Sequence, residues 1–169
     1  MGGHPTFAHM EEAMSEDTEE ELDDLYEEVL EVARAFWSQS SMVNQRDRTE
    51  RRGVNARLRL RVRKRYHNGR PRLVIEWTQR VYHRKKSDGS WFFRTKSVPK
   101  GRNTYLYPIG QLRKLAGDKR ADMVEEIERY FAQCREHSAL IGEKRRILER
   151  LESSDQKRQE LRPDIQQHR

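Results

Sequence analysis

The chain has 169 residues, room for one domain with or without extended ends. Only 34% of it is hydrophobic and 37% is charged, with a mean hydropathy of −1.14, so the apolar residues must be concentrated in a few segments to form a core. No apolar run nears the roughly 18 residues that cross a bilayer, and no signal-type apolar segment follows the start. The single cysteine, Cys134, excludes an intramolecular disulfide and an all-cysteine metal cage. These features lead us to expect a soluble, cytoplasmic protein with no membrane partner.

The net charge of +7 hides a sorting along the chain. Residues 1–33 carry twelve acids and neither Lys nor Arg. Residues 34–120 carry 25 basic residues against five acidic ones. Residues 121–169 are near balance, with ten basic and eleven acidic. A strongly basic middle points to a polyanion, nucleic acid first. The plainer alternative is a solvated basic surface that serves solubility alone.

Residues 1–15 contain Gly2, Gly3 and Pro5, lack periodicity, and are expected to be disordered. Residues 16–40 read as an acidic amphipathic helix running from about Thr18 to Gln39. Its stripe is Leu22, Leu25, Tyr26, Val29, Val32, Ala33, Phe36 and Trp37, at spacings of three and four. Its acids crowd the first turns, where the macrodipole favours them. Residues 38–53 lose the pattern and read as a linker.

Residues 54–152 read as a basic unit of three strands followed by helices. From Arg57 to Arg63, arginine alternates with Leu58, Leu60 and Val62, the pattern of a strand with one apolar and one cationic face. Asn68-Gly69 marks a two-residue hairpin turn. That turn pairs Leu60 with Trp77, Val62 with Ile75 and Arg61 with Glu76, which keeps the two faces separate. The second strand covers about Arg72–His83 and the third about Trp91–Val98. Three strands need a helix over their apolar face. A short helix over Pro108–Ala116 ends at Gly117, and Asp118 is placed to cap a long helix from about Lys119 to Glu152. Such a helix extends roughly 50 Å, so its far end should pack on the N-terminal helix or on another subunit, as in a homodimer through helices. Residues 153–169 read as a flexible tail. The fold class is α+β: a three-stranded antiparallel sheet packed on helices.

The arginine face is the candidate site. Arg57, Arg59, Arg61 and Arg63 stand about 6.6 Å apart, close to the phosphate repeat of a nucleic-acid strand. Arg80, Arg94 and Lys96 are expected to extend that face, and Lys100 and Arg102 belong to a basic loop that reads as a phosphate clamp or an ordinary solvated turn. A small twisted sheet can enter the major groove of duplex DNA. The competing explanation is an edge strand protected by charge, for which one or two charges normally suffice. Phe92 falls on the cationic face in this reading and could stack on a base. The six histidines are scattered, and no Gly-rich phosphate loop or catalytic carboxylate pair is present, so neither an enzyme nor a cofactor or metal is expected. Glu125 and Glu126 are better explained by ion pairs such as Glu125–Arg129, and Cys134 by a place in the core.

The order of features is informative in its own right. The acidic opening of residues 21–28, Leu73-Val-Ile-Glu-Trp77, the Trp/Phe strand, the turn at residues 96–101, Tyr105 and Tyr107, and Met123–Ala132 running on to Arg145 and Arg146 together resemble the MobI-like mobilisation proteins of conjugative elements. The resemblance spans about residues 20–150. It implies an auxiliary relaxosome protein working at an origin of transfer beside a separate relaxase; joined to the arginine face, it leads us to expect double-stranded DNA as partner. Two alternatives stand next to this reading: a helical protein–protein adaptor, and an RNA-binding protein.

Overall fold

The structure is a computed structural model that describes residues 7–49, 58–85, 87–89, 91–101 and 105–162, apart from the side chains of residues 7–16, 43–49, 82, 83, 85 and 91–93. Strands β1 (Leu58–His67), β2 (Arg70–Lys85) and β3 (Trp91–Ser97) form one antiparallel sheet in the order β1-β2-β3. A long helix α1 (Phe7–Thr49) precedes the sheet. A short helix α2 (Ile109–Ala116), a 3-10 turn (Asp118–Arg120) and a second long helix α3 (Ala121–Glu160) follow it. The class is α+β, as expected.

The hairpin between β1 and β2 has the expected register. Asn68 and Gly69 adopt φ of 52° and 74°, the left-handed pair that a two-residue turn requires. Leu60 lies opposite Trp77, Val62 opposite Ile75, and Arg61 opposite Glu76. Because side chains alternate, Leu58, Leu60, Val62, Ile75 and Trp77 share one face. Of these, Leu58, Leu60, Ile75 and Trp77 are buried and Val62 is half-buried.

Helices α1 and α3 cover that face. The Trp77 ring meets Phe36 of α1 edge-on, with centroids 5.4 Å apart, and Phe131 of α3 at 6.4 Å. The α1 stripe of Leu22, Leu25, Val29, Ala33 and Phe36 is buried, and Val124, Cys134 and Ile141 join it from α3. The long helix thus packs on the N-terminal helix within one chain. Lys144 bonds Asp17 and Glu21 at 2.9 Å each, and the Tyr130 hydroxyl donates to Glu28 at 2.6 Å.

The helices depart from the sequence reading at their ends. α1 begins at Phe7, inside the segment expected to be disordered, and continues to Thr49 through most of the expected linker. Between Thr6 and Arg52 the chain has neither Gly nor Pro, so nothing interrupts the helix once it has formed. α3 likewise runs to Glu160, into the expected tail, and ends shortly before Pro163. Asp118 opens the 3-10 turn and makes no capping bond, and Arg120 occupies the position before α3. Gly117, at φ 77°, ends α2 as anticipated.

Two charged residues sit inside the core. Glu128 is wholly buried on α3 and accepts four bonds: from Trp77 Nε1 at 2.6 Å, from the Tyr107 amide at 2.7 Å, and from Arg135 at 2.9 and 3.0 Å. Arg135 in turn donates to the carbonyls of Ile75 and Tyr105. The pair ties α3 to β2 and to the segment before α2.

Candidate nucleic-acid interface

The face of the sheet turned away from α1 and α3 carries the odd residues of β1 and, through the register, the even residues of β2. Arg59 and Arg61 are exposed on it. Arg63 is half-buried and donates to Glu76 at 2.8 Å, so Glu76 pairs diagonally with Arg63 although Arg61 lies directly opposite it. Arg80 continues the face beside Arg59. Partial burial, and then the neighbouring Arg80 guanidinium, hold Arg59 below the ordinary guanidinium range. Thr78 is buried on this face, with its hydroxyl directed at the Arg59 carbonyl.

The second pairing revises one expectation. β3 aligns Arg94 with Val81, Lys96 with Gln79 and Thr95 with Arg80. Directly paired residues point the same way, so Thr95 and Ser97 share the arginine face while Arg94 and Lys96 fall on the opposite one. Both are exposed there, because β3 is an edge strand. A shift in register between Tyr82 and Arg84 sets this alignment. Lys100 lies past the end of β3, 5.9 Å from the Tyr107 ring, and does not join the arginine face. Burial, followed by the proximity of Arg135, lowers the pKa of its ammonium. Arg57, Arg102 and the Phe92 side chain lie outside the described residues.

The structure also adds residues to the face. The alternation continues past Arg63, so Arg65 and His67 on β1 and Arg70 and Arg72 on β2 occupy it near the hairpin tip, all exposed. Arg65 and Arg72 are directly opposite each other. Like charges in that position are destabilising unless an anion intervenes. Arg70 reaches across to Glu149 at 2.7 Å. Applying the hairpin register beyond Arg63 would have found Arg65, Arg70 and Arg72.

Elsewhere the sequence readings of Glu125 and Cys134 hold. Glu125 accepts from Arg129 at 2.8 Å and from Arg113 at 2.7 Å, which holds its carboxyl below the usual range, and Cys134 is buried. Among the described residues no group of three or more His, Cys, Asp or Glu could hold a metal ion, and no helix is long and apolar enough to cross a membrane.

A family model described as MobI protein matches residues 25–149. No curated protein and no solved structure matches the chain. The matched span takes in most of α1, the whole sheet, α2 and most of α3. With well over half its length covered, the chain belongs to the MobI family of mobilisation proteins.

Proposed function

We propose that this mobilisation protein is a non-enzymatic accessory factor that binds duplex DNA at an origin of transfer through the arginine face, beside a relaxase. The observation that carries the reading is the Arg65–Arg72 pair. Two exposed arginines placed directly opposite each other on the sheet face, flanked by Arg59 and Arg61, form a charge arrangement suited to a polyanion. A two-stranded ribbon can lie in the major groove with its outer face on the bases and its flanks on the phosphates. Arginine serves both contacts, bidentate to guanine or to phosphate.

A mobility shift with duplex fragments from the element's transfer origin, in rising salt, tests this. Binding should weaken steeply with salt and favour origin fragments over unrelated duplex of equal length. An adaptor would show no salt-sensitive binding, and an RNA-binding protein would prefer structured RNA.

A further inference from the structure

β3 is shorter than β2 and pairs only with its second half, from Thr78 onward. The first half, Arg70–Glu76, has β1 on one side and no strand on the other. In the β1–β2 ladder the two-residue turn makes His67–Arg70 the closing hydrogen-bonded pair, so Pro71, Leu73 and Ile75 direct their backbone groups outward. Two bonds confirm that direction: Val98 N–H donates to the Trp77 carbonyl at 2.9 Å, and Arg135 Nε donates to the Ile75 carbonyl at 3.0 Å. Among the described residues nothing is bonded to the outward N–H and C=O of Leu73. Proline at 71 removes one outward donor, a common way of blunting an edge, but it leaves the Leu73 position open.

A cleft of about 610 Å³ runs along this edge, between β2 and the middle of α3. Arg135 and the Tyr105–Tyr107 segment close one end. Ser138, Ala139 and Gly142 line the α3 wall and keep it low. Gly142 lies in a helix interior, where glycine is less favourable than alanine, yet a Cβ there would meet nothing within 4 Å. Packing therefore does not account for the glycine. The cations at the cleft include Arg72, with which no described carboxylate forms an ion pair, and Lys100, which feels the buried Glu128; the carboxylates lining it, Glu76 and Glu143, are already paired with Arg63 and Arg146.

We propose that the open edge of β2 at Pro71–Ile75 receives an extended acidic segment of a partner protein as an added antiparallel strand. The alternation of β2 defines the chemistry of that segment. Residues on the Leu73 side face the low α3 wall and should be apolar, and residues on the Arg72 side should be acidic. The outward amide and carbonyl of Leu73 supply the main-chain bonds. A phosphate could satisfy the cations and accept from the Leu73 amide but has no proton to give the Leu73 carbonyl, so the edge favours a peptide.

The test uses the full chain and a fluorescent peptide alternating Glu and Val over about six residues, a usual strand length. Binding is read by anisotropy. N-methylation of the Val residues, whose amides face Leu73 in the antiparallel arrangement, should weaken binding roughly tenfold or more. N-methylation of the Glu residues should leave it unchanged. Gly142→Leu, which fills the cleft from the α3 side, should abolish peptide binding while the far-ultraviolet circular dichroism and duplex-DNA binding stay as in the parent. Equal loss with both methylated peptides, undiminished binding to Gly142→Leu, or competition by oligothymidylate but not by unlabelled peptide would each overturn the proposal. None of these results bears on whether the arginine face binds duplex DNA.

Discussion

Glu128 and Arg135 sit two turns apart on α3 and close a bidentate ion pair at 2.9 and 3.0 Å, with the carboxylate wholly buried. Every acceptor position of Glu128 that the core presents is filled, by Trp77, Tyr107 and Arg135. Such a pair holds only while both members remain, because a lone buried charge has no compensation.

Arg135→Met should therefore destabilise the protein by about 3–5 kcal/mol, the usual cost of breaking a buried pair from one side. Glu128→Gln together with Arg135→Met should recover part of that loss. Urea denaturation of the parent and these two variants reads the difference directly; an Arg135→Met variant as stable as the parent would refute the interlocked core.

Trp77→Ala should cost about 3–5 kcal/mol as a large-to-small change in the core. Trp77→Phe keeps most of the apolar contact with Phe36 and Phe131 but leaves one Glu128 oxygen short of a donor. Arg135 still donates to that oxygen, so the cost should be nearer the ~1.5–3 kcal/mol of one hydrogen bond to a charged group. Denaturation midpoints rank the two.

On the arginine face, Arg59→Ala with Arg61→Ala should weaken duplex binding and flatten the slope of log K against log salt by about one to two units. Arg94→Ala with Lys96→Ala should have far less effect, since their register turns them to the other face. Salt titrations of both double variants decide the matter. Equal losses would show that the binding surface is not confined to the arginine face.

Leu25→Asp with Val29→Asp places two charges in the buried α1 stripe and should cost on the order of 4 kcal/mol, lowering the thermal midpoint by about 10 °C. The stripe packs on α3 of the same chain, so light scattering should return the parent's mass.

Alkaline stability follows from two groups between α1 and α3. Burial, and then its bond to Glu28, raises the Tyr130 phenol well above the ordinary value of 10.0. Bonds to Asp17 and Glu21 raise the Lys144 ammonium above 10.5. In both, the folded state holds its proton more tightly than the unfolded chain does. Their contribution is complete below about pH 10 and is lost as pH rises further. Melting midpoints measured from neutral to strongly alkaline pH should fall above that point, and Tyr130→Phe should make the decline shallower.

The hairpin and its two faces were legible in the residues alone. Asn68-Gly69 sets a two-residue turn, the pleat alternates side chains, and both are short-range rules that fix Leu60 against Trp77 before any helix is placed. The apolar stripe from Leu22 to Phe36 was equally readable, because helical periodicity is local too. Tertiary structure decided the rest. The side on which Arg94 and Lys96 emerge depends on pairing across a loop and an irregularity near His83, neither of which alternation within β3 can register. Glu128 and Arg135 look like solvated helix charges until α3 is laid across β2 and removes them from water. The open edge at Leu73 exists only because β3 ends early and small residues on α3 stand opposite it. Each of these depends on where distant segments meet, and only the packed chain determines that.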